Sequence, residues 1–213
     1  MLYSPPRIGQ SFVLGALGLD GKETIQYVEL PLDRTPTLQR GRMRSFGYGN
    51  PRAHPSFAAA RDGNVYVTPG DEYQVLALDP EGSPRWAVRV AWERPTMPQG
   101  LRRTVLESVR RSFPDVTESE INYLDRLPSV SRLAVDGEGR LFVYPYVPPD
   151  PSADGVVDVP VDVYSSDGEH LFSGMVPNRG WRRANGDFVY GAGRDSVSDE
   201  YRVFRWRLVE PFE

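Results

Sequence analysis

Apolar and polar residues alternate in short runs along most of the chain, and residues typical of turns separate these runs. The clearest example spans 131–177, where a turn at 136–139 leads into an apolar run at 141–144, an alternating run follows at 159–164, and Asp167-Gly168 comes next. Alternation with a period of two is typical of strands that bury one face. Asp-Gly between such runs favours a tight hairpin, because glycine reaches positive φ without a Cβ clash. The pattern predicts consecutive strands joined by short turns.

The same reasoning predicts strands on both sides of this stretch. Residues 11–33 predict a hairpin with its turn at Asp20-Gly21, residues 56–92 predict a meander, and residues 178–213 predict further strands. Residues 34–55 are rich in Arg, Gly and Pro and show no sustained period, so they are interpreted as a connecting loop.

Residues 98–128 break the two-residue rhythm. Apolar residues four apart predict one face of a helix that ends before Pro114, and they are Leu101, Val105, Val109 and Phe113. Thr117 and Glu120 then match a capping box, and apolar residues at a spacing of three continue to Pro128, which predicts a second helix. We interpret 98–128 as a two-helix insertion in a β domain.

Strands led by glycine recur at nearly equal intervals. They begin at Gly63, Gly139 and Gly186, which are 76 and 47 residues apart, and the first offset falls to 45 when the 31-residue insertion is left out. A second repeated sequence supports this register. Residues 71–75 (DEYQV) and 199–203 (DEYRV) differ at one position, and each begins the strand that follows a glycine-led one. A period of about 40–50 residues with several short strands per unit is typical of a β-propeller blade.

On these residues the chain resembles the six-bladed β-propeller proteins of bacteria, the NHL-like or TolB-type group. The matching runs are 133–143, 163–168, 186–191 and 199–204, and they extend over roughly residues 55–209. The resemblance implies an all-β propeller and an extracytoplasmic location, periplasmic or secreted, since many such proteins are exported. The N-terminus, Met1 to Arg7, shows no signal-peptide pattern.

The length predicts an incomplete propeller. At about 45 residues per blade, the single domain at 1–213 supplies about four blade equivalents outside its insertion, whereas six blades need about 270 residues. An incomplete ring leaves unpaired sheet edges, which native proteins avoid. We therefore expect the C-terminal part of a longer protein; the alternatives are an open arc that forms a homodimer through its sheet edges and a smaller closed ring.

The composition of the chain limits the kinds of partner and site that it can have. The chain has 25 basic and 29 acidic residues, and the net charge of −4 disfavours nucleic acid as a partner. With no cysteine, the chain has neither disulfides nor thiolate ligands. No run approaches the roughly 18 apolar residues of a membrane span.

Two kinds of candidate site remain. Aromatic and guanidinium groups at strand ends and on loops often form recognition surfaces, and those singled out as ligand-binding are Tyr144, Tyr146, Trp181 and Arg182. For any single aromatic residue the favoured alternative is core packing, and two tryptophans are expected to pack between blades, Trp86 and Trp206. Asp71 and Asp199 are candidate metal ligands, since calcium prefers carboxylate oxygens; the alternative is that such residues only build turns.

We expect a binding or scaffold module that recognises a protein or glycan through loops on one face, with no catalytic residue assigned. The alternative, by similarity to enzymatic six-bladed propellers, is a calcium-type, metal-assisted hydrolase or lactonase with carboxylates at the channel. No other cofactor is expected, since the sequence has no phosphate-binding loop and no dinucleotide fingerprint. His54 and His170 have no spacing partner, and a Gly-x-Ser-x-Gly elbow is absent from the sequence.

Overall fold

A computed structural model describes residues 2–3, 11–17, 23–31, 37–40, 43–46, 55–148, 158–177, 181–185, 188–194 and 200–207. In chain order its strands and α-helix are β1 (Leu2–Tyr3), β2 (Ser11–Leu17), β3 (Glu23–Pro31), β4 (Thr37–Arg40), β5 (Met43–Phe46), β6 (Ser56–Ala59), β7 (Val65–Thr68), β8 (Gln74–Leu78), β9 (Pro84–Arg89), α1 (Gln99–Arg110), β10 (Val130–Val135), β11 (Leu141–Pro145), β12 (Asp158–Tyr164), β13 (His170–Pro177), β14 (Trp181–Asn185), β15 (Phe188–Arg194) and β16 (Tyr201–Arg207). Within these residues, no helix has the length and apolarity that crossing a bilayer requires.

The described strands form antiparallel sheets in which chain neighbours are also sheet neighbours. Two sheets have four strands, β6–β9 and β10–β13, two have three, β1–β3 and β14–β16, and β4 pairs with β5. Short links join antiparallel neighbours directly, which explains the meander. The three glycine-led runs form β7, β11 and β15, the second strand of each sheet. The described part of the chain is therefore mostly β, as predicted, and the glycine-led runs take the same place in three of its sheets.

The interval 34–55 differs from its prediction as a loop. Two strands, β4 and β5, form a hairpin there, with Thr37 opposite Phe46 and Arg40 opposite Met43. A ladder is made by main-chain hydrogen bonds, so it needs no sustained side-chain alternation, and the pattern of residues alone did not reveal it.

Four links in the two large sheets share one five-residue geometry. The amide of the first residue donates to the carbonyl of the fifth at 2.8–3.1 Å, and the amide of the fourth donates to the carbonyl of the first at 3.0–3.3 Å. The fourth residue is always glycine with φ between 82° and 91°, and the glycines are Gly63, Gly82, Gly139 and Gly168. This is the turn in which a left-handed residue closes a short hairpin. The Asp/Ser and Gly pattern of the sequence predicted these turns for that reason.

The sheets stack face to face. One face of the β6–β9 sheet packs against the β1–β3 sheet through Leu14, Val65 and Leu78, and the other face packs against the β10–β13 sheet. Strands β7 and β11 are buried along their whole length. Strand β10 lies beside β6 and β14, which puts the first strands of three successive sheets next to one another.

Aromatic side chains on outer strands join each sheet to the next. The Tyr27 hydroxyl on β3 donates to the Pro80 carbonyl at 3.3 Å, and Trp86 Nε1 on β9 donates to the Ser166 carbonyl at 2.9 Å. Both acceptors are the second residue of a five-residue turn in the following sheet. The prediction that Trp86 packs between sheets is confirmed.

The insertion contains one predicted helix but not the second. Helix α1 buries the predicted stripe of Leu101, Val105 and Val109. The prediction of a second α-helix is wrong, because only a single 3-10 turn forms there, at Glu118–Glu120. Glu120 does reach back as expected, since its Oε2 accepts from the Thr117 amide at 2.8 Å and from the Thr117 hydroxyl at 2.9 Å.

After Glu120 the chain is irregular and not helical. Leu127 donates its amide to the Pro95 carbonyl at 2.9 Å, and Thr96 forms a bridge with Arg126. Ile121, Leu124 and Leu127 are still buried, two of them in a cluster with the α1 stripe. Burial against α1 and main-chain pairing with 95–96 therefore satisfy these residues without a helix. A tertiary contact overrides the local pattern here.

Candidate functional site

The antiparallel order of strands sorts the links of the two large sheets to two ends. The four five-residue turns lie at one end, which we call the turn end: 60–64, 79–83, 136–140 and 165–169. The links 69–73 and 90–129, the second of which contains the insertion, lie at the opposite end, which we call the loop end. Functional residues are commonly found on irregular loops that a rigid scaffold positions.

A cleft of about 320 Å³ opens at the loop end. Its lining residues come from the end of β9 and from both loop-end links: Asp71, Glu72, Tyr73, Arg89, Val90, Ala91, Trp92, Arg94 and Ser129. This volume is at the lower end of the range for small-molecule sites. We call it the loop-end cleft.

Ser129 bonds the two sheets together beneath the loop-end cleft. Its amide donates to the Gly70 carbonyl at 2.8 Å, and its hydroxyl donates to the Asp71 carbonyl at 2.6 Å. The Ser129 carbonyl in turn accepts from the Tyr146 amide at 2.9 Å. Because both acceptors in the 69–73 link are main-chain carbonyls, Ser129 fixes the backbone of the link that carries Asp71 to the start of the next sheet.

Arg94 connects the cleft to the base of the insertion. Its Nε donates to the Leu127 carbonyl at 2.9 Å and its Nη2 to the Arg126 carbonyl at 3.3 Å, while Arg126 Nη1 donates to the Arg94 carbonyl at 2.8 Å. A guanidinium that donates to two carbonyls fixes the position of both chain segments. The wall of the cleft formed by 90–94 is thereby attached to residues 126–127.

An ion pair and an exposed indole lie side by side in the cleft. Arg89 Nη2 donates to Glu72 Oε2 at 2.7 Å, and the two side chains are 70% and 48% exposed. Asp71 Oδ1 accepts from the Glu72 amide at 2.9 Å. Trp92 is 41% exposed and packs against the buried ring of Tyr73, with ring centroids 5.9 Å apart and an angle of 42° between the ring planes. The cleft therefore offers an aromatic surface next to hydrogen-bond donors and acceptors.

A polar network lies behind Tyr73, in the junction between the two large sheets. The Tyr73 hydroxyl donates to Asp162 Oδ2, and the Ser173 hydroxyl donates to Asp162 Oδ1 at 2.5 Å. Burial raises the pKa of Tyr73 above its usual value, and the hydrogen bond to Asp162 raises that pKa further. Asp162 thus holds together a loop-end residue of one sheet and the outer strand of the next.

His170 joins this network through Ser173, with Nε2 3.0 Å from the hydroxyl and 4.0 Å from Asp162 Oδ1. The Asp162 carboxylate lies within reach of the Ser173 hydroxyl and of the same ring nitrogen of His170. In a Ser-His-Asp triad the carboxylate instead contacts the other ring nitrogen, so the geometry here differs from a triad.

The structure places the predicted ligand-binding residues differently. Tyr144 is 2% exposed in β11 and packs with Phe142 and Val161, so the side chain expected at a recognition surface is part of the core. Arg132 covers its ring at 4.6 Å. Tyr146 packs partly buried against the α1 cluster, next to Ser129 but outside the lining of the cleft. Trp181 and Arg182 begin β14, where Trp181 pairs with Gly191.

The two predicted metal ligands are not brought together in the described part of the chain. Asp71 lines the cleft, and Asp199 lies outside the described residues. Among the residues described, no three His, Cys, Asp or Glu side chains are grouped closely enough to hold a metal ion. His54 also lies outside these ranges.

Sequence reasoning missed Trp92, Arg89 and Arg94 as site residues. One signal could have found them: Trp92 follows the last strand of the predicted meander, with Arg89 three residues before it, Arg94 two residues after it, and Pro95 ending the segment. An aromatic residue just beyond a strand, near charged residues and a proline, is typical of a loop position rather than a core position. The Tyr73–Asp162 bond had no such signal, because 89 residues separate its partners.

Comparisons with known proteins give a weak likeness in structure and none in sequence. Neither a protein-family model nor a curated protein matches the sequence. Among solved structures, the chain is similar to regucalcin from Agrobacterium tumefaciens, described as a calcium-binding protein, with 13% sequence identity and a TM-score of 0.35. The match covers 89% of this chain and 52% of that chain, so the chain spans about half the length of that structure.

Proposed function

We propose that this chain is a non-catalytic binding module and that its ligand enters the loop-end cleft. The observation that carries the proposal is the combination in one concave site of exposed Trp92 with the Arg89–Glu72 ion pair and Asp71. Ligand sites typically combine an apolar surface with a few fixed polar groups that orient the ligand. Main-chain bonds at Ser129 and the Arg94 contacts hold this site in shape, which lowers the entropy lost on binding.

The chemistry of the cleft supports recognition over turnover. The hydroxyl of its serine, Ser129, is buried and donates to a main-chain carbonyl, so its proton is used structurally. The lining residues include no histidine that could take a proton from it. Asp71 and the Arg89–Glu72 pair are positioned to bind polar groups of a ligand.

The stacked meanders support a propeller-type scaffold for this module. Two four-stranded sheets lie face to face, and their first strands, β6 and β10, lie side by side, as blades do around an axis. The number of blades, the closure of the ring, pairing of two copies through sheet edges and an extracytoplasmic location remain predictions from the sequence.

A fragment screen tests the cleft without a known ligand. We would screen a library of small polar and aromatic fragments against the full chain by ligand-observed NMR, then repeat every hit with Trp92→Ala and Phe57→Ala. Phe57 is the matched control, since it is a 36% exposed aromatic residue that does not line the cleft. We expect hits that lose binding in Trp92→Ala and keep it in Phe57→Ala, because well-formed sites concentrate binding energy on a few residues. The proposal would be refuted if the fragments that bind the natural chain bound Trp92→Ala equally well.

The calcium-dependent hydrolase alternative stays a prediction with its own test. A thermal unfolding series with and without millimolar calcium would be measured for the natural chain and for Asp71→Asn. Binding to the folded state raises the unfolding temperature by mass action. A calcium-induced rise that disappears in Asp71→Asn would favour the metal reading over the one proposed here.

A further inference from the structure

We infer that the ligand of the loop-end cleft is a neutral saccharide, whose ring lies on Trp92 and whose hydroxyl groups bond to Asp71, Glu72 and Arg89. This inference rests on the proposed function, since it names the chemical class that the same site accepts. Three properties of the cleft carry it: the balance of its charges, the mixture of its hydrogen-bonding groups, and its shape.

The charges that line the cleft cancel. Asp71 and Glu72 supply two carboxylates, and Arg89 and Arg94 supply two guanidinium groups. Arg89 and Glu72 are already paired at 2.7 Å. A charged ligand that binds to either member of this pair would compete with its partner and would meet a like charge next to it. An uncharged ligand binds beside the intact pair without that competition.

The available polar atoms suit hydroxyl groups. Oδ1 of Asp71 accepts from the Glu72 amide, and Oδ2 has no hydrogen-bond partner among the residues that the structure describes. Glu72 accepts from Arg89 through Oε2, and Arg89 donates in that contact only through Nη2, one of the three nitrogens of its guanidinium. Carboxylate acceptors and guanidinium donors therefore lie next to each other in the cleft. Neighbouring hydroxyls on a sugar ring both donate and accept, so they can bond to a carboxylate and a guanidinium at once.

The aromatic surface exposed in the cleft is a single indole ring. Trp92 exposes 41% of its surface and packs against the buried ring of Tyr73. The axial C–H groups of a pyranose form a compact apolar face that covers such an indole. A concave volume of about 320 Å³ suits a small ring, whereas a protein partner usually covers a broad surface of about 800 Å² on each side.

Titration with defined sugars tests the class. The full chain would be titrated calorimetrically with four neutral disaccharides, namely maltose, cellobiose, lactose and diacetylchitobiose, and with anionic digalacturonate and cationic chitosan dimer. We expect at least one neutral disaccharide to bind and neither charged dimer to bind more tightly. Trp92→Ala should raise the Kd at least about tenfold, the effect of losing about 1.4 kcal/mol. Trp92→Phe should retain most of the affinity because it keeps an aromatic face, and Phe57→Ala should leave it unchanged.

The outcomes separate this inference from the proposed function. If none of the neutral disaccharides binds at concentrations up to about 10 mM, where even weak specific ligands are detected, while fragments still bind through Trp92, the ligand class is wrong and the binding site stands. Preference for a charged dimer would overturn the charge argument and with it the inference. If neither sugars nor fragments depend on Trp92, both fail. Circular dichroism and thermal unfolding of each variant would confirm that the fold is intact.

Discussion

At the turn end of the two four-stranded sheets, every link is five residues long and repeats one hydrogen-bond pattern, whereas the loop-end links 69–73 and 90–129 differ in length and carry the cleft and the insertion. At the turn end, the side chain of the first residue in three turns bonds within its own turn. Asp79 Oδ1, Asp136 Oδ1 and Ser165 Oγ each accept from two amides of that turn. Asp71 and the ion pair at the loop end keep atoms that face solvent.

The difference shows how acidic residues of similar sequence context acquire different roles. The Asp136 side chain is fully buried and bonds to Arg140 Nε at 2.7 Å as well as to its own turn. Glu72, on the opposite end, is half exposed and accepts from the exposed Arg89. Turn geometry thus fixes Asp136 in a structural role, whereas the Glu72 carboxylate stays open to solvent, as the proposed binding role requires. The two ends should respond differently to substitution.

The largest contrast in stability is expected among glycines. Gly168→Ala at the turn end should destabilise the fold by about 3 kcal/mol, because a Cβ adds left-handed strain and would lie 2.8 Å from the Trp86 ring. Gly139→Ala has nearly the same φ but a nearest contact of 3.7 Å, so it should cost only about 1 kcal/mol. Gly100→Ala, in the loop-end insertion, meets nothing within 4 Å and should stabilise α1 by up to about 1 kcal/mol.

Urea unfolding of the three variants measures this series. Gly139→Ala is the control for backbone strain without a clash, and Gly100→Ala is the control for adding a methyl group. Equal losses for Gly168→Ala and Gly139→Ala would mean that the Trp86 contact between sheets is loose. The regular turns would then be local features and not the places where one sheet is fitted to the next.

A medium effect is expected where the loop end meets the sheet junction, at Tyr73. Its pKa is raised in the folded protein by burial and by Asp162, so the folded state holds the proton more tightly than the unfolded chain, in which tyrosine titrates near pH 10. The stabilisation is complete below about pH 10 and is lost as the pH rises above it, by about 1.4 kcal/mol per pH unit.

Tyr73→Phe should therefore lower the free energy of unfolding by about 1 kcal/mol at neutral pH, through loss of the hydrogen bond, and should reduce its decline above pH 10. Burial also raises the pKa of Tyr66 and Tyr144, so part of the alkaline slope should remain in the variant. Urea unfolding at a series of pH values from neutral to strongly alkaline measures both effects. A variant with the slope of the natural chain would show that Tyr73 ionises freely and that its bond to Asp162 does not couple the cleft to the junction.

Local chemistry made part of the fold predictable. Gly63 and Gly139 mark turns whose hydrogen bonds lie within five residues, and the α1 stripe repeats within one helix, so neither needs knowledge of distant residues. The prediction of a second helix was wrong because Ile121 and Leu127 are buried against α1, and a short stretch of sequence does not show this distant contact. Tyr144 is buried for a related reason, since neighbouring sheets cover both faces of its strand.

The candidate site was less predictable than the fold. Asp71 could be selected from its position in a link, but its neighbours in the cleft come from the end of β9, at Arg89, and from the link that follows it, at Trp92. Their approach follows from the antiparallel order, which sends alternate links to the same end. The residues chosen on aromatic character, Tyr144 and Tyr146, pack into or against apolar clusters instead of lining the cleft. Residue type indicated what a site contains and not which members face the solvent.

The smallest change in stability should accompany substitutions in the cleft. Arg89→Ala and Glu72→Ala should each change the free energy of unfolding by less than about 0.5 kcal/mol, because their ion pair is well exposed and screened by solvent. The matched turn-end variant is Arg140→Ala, which removes the partner of the fully buried Asp136 carboxylate and should cost about 2 kcal/mol. Urea unfolding at low and at high salt compares them, and the Arg140→Ala loss should persist in salt. Equal losses at both ends would show that the Arg89–Glu72 pair supports the fold, and the division between a stabilising turn end and a recognition end would then fail.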